Sequence, residues 1–260
     1  MGDGTRLDQA TYVDAVRRHS AGFAAAAAGH LGADVPACPG WRVADLVAHL
    51  SDVHWSWATI VQERRREPVP PADRPPRAPD DELLDRFTAG AERLCRVLGG
   101  CDPSTPVWTW APGHEDAGFV VRHQVQEAMV HHRDVAEAAG LPVPELEPDL
   151  SADAVDEFLT VSVATEADPA DDGTPGLAGR ILLCANDTGD RWEIREGPRP
   201  ETLRVTRTAP EDGGPTGDDA AVLTASAADL LLWLYGRVAL DVPDVHLPLL
   251  ERFRTLTWTD

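Results

Sequence analysis

Apolar positions in the first half of the chain recur at helical spacing. Val43, Leu46, Val47, Leu50, Val53, Trp57 and Ile60 recur at three- and four-residue spacings, so on a helix they form one stripe. This predicts a helix over about 41–66, with Arg64, Arg65 and Arg66 at its C-terminal end, where cations meet the negative end of the helix dipole. An earlier helix over about 8–31 is expected from Tyr12, Val16 and Phe23 together with the Ala24–Ala28 run. Between the two, Val35-Pro36-Ala37-Cys38-Pro39-Gly40 stops helix formation. Prolines 68, 70, 71, 75, 76 and 79 make 67–79 an extended connection. A third helix fits 80–98, with Leu83, Leu84, Phe87, Leu94 and Val97 inward and Gly99-Gly100 ending it. A loop carrying Trp108, Trp110 and Pro112 leads to a fourth helix over 118–139, closed by Gly140 and Pro142. Four such helices fit a bundle.

The pattern changes after Pro142, and Pro142, Pro144 and Pro148 read as a linker. A helix over 152–165 is expected next. Short β-like runs follow at 181–185, 191–194 and 203–206, separated by turn signals such as Asn186-Asp187-Thr188-Gly189-Asp190. An acidic loop over 211–219 is expected to be mobile, and helices over 227–234 and 248–256 close the chain. The expectation is an α+β protein: a four-helix bundle over 1–145, then a small α+β domain over 146–260.

Composition narrows the function classes. The 260 residues carry 23 Arg and no Lys against 44 Asp+Glu, a net charge of −21. Such a chain repels phosphate backbones and anionic membrane surfaces, so nucleic acid and membrane are not expected partners. No run approaches the roughly 20 apolar residues of a membrane span. The N-terminal residues lack a secretory signal pattern, and Cys38, Cys95, Cys101 and Cys184 form no CxxC, so a reducing cytoplasm is the expected location.

The candidate chemistry lies in two segments. In Arg122-His123-Gln124-Val125-Gln126-Glu127-Ala128-Met129-Val130-His131-His132-Arg133-Asp134, Glu127 and His131 are one helical turn apart, and His123 extends the row. A carboxylate and an imidazole on one face can chelate a divalent cation. His49, between Val47 and Leu50 at the border of the apolar stripe, can supply a third ligand from the facing helix. Two His and one Glu around Zn²⁺ leave one position for water or a thiol. The same spacing also occurs on solvated faces, and a histidine beside a core stripe is commonly a structural one. His54, His123 and His132 remain rival ligands. Cys38 receives no role, and Trp108 and Trp110 fit core packing or a pocket wall.

Cys38-Pro39-Gly40-Trp41-x-Val43-x-Asp45-Leu46-Val47-x-His49-Leu50 resembles the opening motif of the mycothiol-dependent maleylpyruvate isomerase family. Gly118-Phe119 followed by Glu127-x-x-x-His131-x-x-Asp134 is similar to that family's second motif, and Asp229-Leu230-Leu231-Leu232-Trp233-Leu234-Tyr235-Gly236-Arg237 resembles its small C-terminal domain. The resemblance implies a DinB-like four-helix bundle and a divalent metal, zinc in the first instance, on His49, Glu127 and His131. It further implies mycothiol as cosubstrate, a small electrophilic substrate bearing a carboxylate, and a catalytic or substrate-binding role for Arg237. The family's usual pattern has a His where Gln126 stands.

On this reading the chain is an isomerase or an S-transferase. An isomerase adds the thiolate to an activated C=C bond, allows rotation, and expels it; a transferase keeps the adduct. Two alternatives stay open: a metal-dependent hydrolase on the same bundle, and a non-catalytic metal-binding or regulatory module. A fourth protein ligand would favour a structural metal. Arg237 also fits a plain role as a cation after a helix C-terminus.

Overall fold

The computed structural model describes residues 7–163, 173, 175–208 and 220–257. The chain divides into two compact units, Met1–Leu146 and Glu147–Asp260. The first holds four long helices, α1 (Gln9–Ala27), α2 (Val43–Glu63), α3 (Asp80–Gly100) and α4 (Ala117–Ala138). Each start has a local cause. The Asp8 side chain accepts from the Thr11 N–H at the start of α1. At the start of α2 the free N–H groups of Val43 and Ala44 donate to the carbonyls of Ala33 and Leu31, and the Asp45 carboxylate accepts from the Arg42 N–H. Asp116 caps α4 by accepting from the Phe119 N–H at 2.8 Å. Gly118 is needed beside it: a Cβ there would lie 3.2 Å from the Pro103 carbonyl oxygen. Arg64 ends α2 in the left-handed conformation, φ 52°.

The bundle core is continuous. Phe23 of α1, Leu46, Val47 and Leu50 of α2, Phe87 of α3 and Val135 of α4 are all essentially inaccessible and pack in one cluster. Each such side chain removed from water contributes about 1.5–3 kcal/mol, which ties all four helices together. The proline-rich segment is extended as expected, apart from one 3-10 turn at Pro71–Asp73.

The second unit comprises α5 (Pro148–Val161), β1 (Arg180–Ala185), β2 (Arg191–Glu196), β3 (Leu203–Thr208), β4 (Ala220–Ala225), α6 (Ala227–Leu234) and α7 (Leu247–Thr255). The sheet order is β3-β2-β1-β4, with β1 and β4 parallel and the other pairs antiparallel. Trp192 and Ile194 of β2 point into its core, and the Trp192 indole N–H donates to Asp156 of α5 at 3.0 Å. Two sequence expectations need correction. Pro148 is not linker but opens α5, where its missing N–H costs nothing; the helix therefore begins four residues before the expected position 152. Strand β4 was not expected, because Ala220, Ala221 and Ala225 have weak strand preference; it forms by pairing Ala221 with Ile181 and Leu223 with Leu183. The acidic loop over 211–219 and the expected helix end at Thr165 lie outside the described residues. No helix among the described residues is long and apolar enough to cross a membrane.

Candidate metal centre

Helix α2 carries His49 and helix α4 carries Glu127 and His131 to one point in the bundle. One ligand atom from each lies within 4.8 Å of the other two. His49 Nε2 is 3.8 Å and His131 Nε2 3.7 Å from the same oxygen, Oε2 of Glu127. Bonds of about 2.1 Å around a tetrahedral ion would set such ligand atoms about 3.4 Å apart, so only a small closure is needed. The apolar stripe of α2 explains the placement of His49. Leu46, Val47 and Leu50 bury in the core, and His49 beside them stays half-buried.

Three observations fit these residues to a divalent cation. Oε2 of Glu127 is inaccessible yet makes no hydrogen bond among the described residues, an unusual state for a buried carboxylate oxygen. Burial alone would push the Glu127 carboxyl up; the imidazoles of His49, His131 and His123 reverse this and bring it down to about 2. The oxygen is therefore an anionic donor without a close partner. Third, His131 Nδ1 lies 3.0 Å from Oδ2 of the fully buried Asp134. With a proton on Nδ1 donated to that carboxylate, Nε2 keeps its lone pair toward the cluster, the carboxylate–histidine arrangement that orients metal ligands.

The rival histidines separate. His54 is fully buried against Phe87, with ring centroids 5.3 Å apart, and neither ring nitrogen makes a hydrogen bond among the described residues. Desolvation holds it at about 4, neutral at physiological pH. His132 meets His19 of α1 instead, Nδ1 to Nδ1 at 3.2 Å. His123 approaches Glu127, but at the other oxygen, Oε1, at 3.9 Å. Neither His54 nor His123 joins the candidate ligand groups, so no fourth histidine closes the site among the described residues.

Other neighbours were not legible as site residues. Cys38, His131 and Asp134 form a second group with candidate ligand atoms within 4.8 Å of one another, on the Nδ1 side of His131. The indole of Trp41, 37% exposed, meets the His49 ring edge to face at 5.3 Å. Trp110 packs on His123 and Phe119, and Trp108 stacks on Trp57; the tryptophan pair thus walls the His123 side. Asp134 closes the second motif and stands i,i+3 from His131, but its spacing alone assigns it no role of its own.

Arg237 belongs to the second unit. Gly236, at φ 72°, ends α6, and the N–H of Arg237 donates to the Leu232 carbonyl, the six-to-one bond of a Schellman cap. Its guanidinium donates to the Tyr235 carbonyl at 2.7 Å and lies 5.9 Å from the Tyr235 ring.

Residues 13–136 match the family model of the mycothiol maleylpyruvate isomerase N-terminal domain. No curated protein matches the sequence. Two solved structures share the fold. The crystal structure of the mycothiol-dependent maleylpyruvate isomerase is 15% identical, with a TM-score of 0.62 over 91% of this chain and 92% of that one. A histidine-to-alanine mutant of that enzyme is 14% identical, with a TM-score of 0.61 over 91% and 93%. The matched segment contains every residue of the cluster, so the first unit carries a domain that matches the mycothiol maleylpyruvate isomerase N-terminal family model.

Proposed function

We propose that the chain is a thiol-dependent enzyme of the maleylpyruvate isomerase type. His49, Glu127 and His131 would hold a divalent cation, zinc in the first instance, and mycothiol would be the thiol cosubstrate. The observation that carries the reading is the convergence of His49 Nε2 and His131 Nε2 on the unsatisfied Oε2 of Glu127. A cation bound there would acidify a coordinated thiol and hold it as the nucleophilic thiolate.

The rest is work for the protein's own groups. Asp134 fixes the His131 tautomer and so keeps Nε2 basic. Glu127 brings one negative charge, which leaves a site with two neutral imidazoles short of neutrality and so favours an anionic ligand such as a thiolate. The Trp41 indole meets the His49 ring edge to face and limits its movement. Arg237 is assigned the substrate carboxylate, by the family resemblance and by its planar fork of donors.

The test is a metal assay joined to a turnover assay. Purified protein should bind about one zinc per chain and isomerise maleylpyruvate only when mycothiol is present. Arg237→Ala should raise KM for the carboxylate substrate while zinc content stays unchanged. Turnover without thiol would favour hydrolysis, and a chain that takes up no metal would defeat the reading.

A further inference from the structure

The two oxygens of Glu127 face different partners. Oε2 meets His49 and His131, whereas Oε1 faces His123, at 3.9 Å. His123 is held on all sides: it stacks on Phe119 at 5.4 Å and 13°, takes the edge of Trp110 at 5.4 Å and of Trp57 at 6.3 Å, and is 4% exposed. Its other nitrogen, Nδ1, lies 2.9 Å from the side-chain amide nitrogen of Gln126, one residue before Glu127.

Electrostatics decides where the His123 proton sits. If Nδ1 carried it, the lone pair of Nε2 would face the Glu127 anion, which is repulsive. With the proton on Nε2, an N–H dipole faces Oε1, and the bare Nδ1 can accept from the Gln126 amide. Only this second arrangement makes both contacts attractive. It also gives the two carboxylate oxygens unequal surroundings: Oε1 faces the N–H dipole of His123 across 3.9 Å, beyond hydrogen-bond reach, and Oε2 faces the imidazoles of His49 and His131.

We propose that Gln126 and His123 form a positioning pair: Gln126 sets the His123 tautomer, and the His123 Nε2–H dipole attracts Oε1 of Glu127 across 3.9 Å, so that Oε2 is presented to the metal. The coupling to metal rests on the function proposed above; the tautomer does not. Gln126 is thus a positioning residue that never touches metal or thiol. Neighbours that orient a metal ligand commonly change affinity 10- to 100-fold, and that range is expected here.

The experiment has two readouts. Nitrogen-15 NMR of the metal-free protein, with His123 assigned by the signals lost in His123→Phe, should show His123 protonated on Nε2. In Gln126→Leu that preference should weaken, and in Gln126→Glu, whose carboxylate accepts from Nδ1–H, it should reverse or give the imidazolium. Competitive zinc titration should show affinity falling about 10- to 100-fold in Gln126→Leu, with little further loss when that change is added to His123→Phe. A proton on Nδ1 in the unmutated protein, or an Nε2–H preference unmoved in Gln126→Leu, would overturn the proposal whatever the metal result. Unchanged zinc affinity in Gln126→Leu would overturn its link to the metal. A wild-type chain that binds no zinc would instead sink the proposed function and leave the tautomer result to decide the pair.

Discussion

Two places in the bundle bring histidines from different helices together, and they differ by one carboxylate. On the α1–α4 side, His19 and His132 meet directly, Nδ1 to Nδ1 at 3.2 Å. One ring donates and the other accepts. Burial, with His19 beside it, holds His132 at about 4, so His132 stays neutral at physiological pH. On the α2–α4 side the rings of His49 and His131 are 5.4 Å apart, and Oε2 of Glu127 lies between their Nε2 atoms. The first pair meets ring nitrogen to ring nitrogen; the second leaves a buried anionic oxygen and two imidazole nitrogens facing one point. Adjacent residues of α4, His131 and His132, thus take opposite tasks because a helix turns successive side chains about 100° apart. Histidine proximity alone does not make a ligand set; the acid does.

The largest test of this contrast exchanges the two sites. His131→Ala or Glu127→Gln should abolish zinc binding in a calorimetric titration. His132→Ala should leave zinc affinity within about threefold, since that ring is spent on His19. Equal losses from His131→Ala and His132→Ala would erase the distinction.

The next effect is on acid stability. His54 has a folded pKa of about 4, below the 6.5 of an unperturbed histidine. It therefore binds fewer protons folded than unfolded. Its stabilising contribution is complete above about pH 6.5 and is lost as pH falls toward 4, a loss of up to about 3 kcal/mol. His132 acts in the same direction. Denaturant unfolding from pH 7 to 4 should show the fall, and His54→Phe should reduce it; identical pH slopes in both proteins would refute the assignment.

Smaller still is the effect of the carboxylate behind His131. Asp134→Asn removes its charge but keeps an acceptor, and zinc affinity should drop about 10- to 100-fold without loss of the one-to-one stoichiometry. On the other side of α4, Gly22→Ala would place a Cβ 2.2 Å from Cε1 of His132. The His19–His132 contact must then give way, at about 1–3 kcal/mol of stability, with zinc affinity unchanged. A thermal melt and the same titration read both.

Much of this was legible in the chain. The α2 stripe set Leu46, Val47 and Leu50 into the core and His49 at its border, and the E-x-x-x-H spacing put Glu127 and His131 on one face of α4. The spacing could not distinguish His123 from His131, because both lie one turn from Glu127 on the same face; they separate only through which carboxylate oxygen each one meets. Nor could it show that Cys38, from the loop before α2, comes beside His131 and Asp134, a contact made by tertiary packing across many residues. Strand β4 was hidden for a similar reason: Ala220, Ala221 and Ala225 take strand form from their partner β1, not from their own preference.

X-ray absorption at the zinc edge tests the central claim most directly. The zinc-loaded protein should show two imidazole nitrogens, one carboxylate oxygen and a fourth light atom, and adding mycothiol should introduce one sulfur at about 2.3 Å. A sulfur neighbour before any thiol is added would place Cys38 at the metal and contradict the account, as would a first shell that mycothiol does not change.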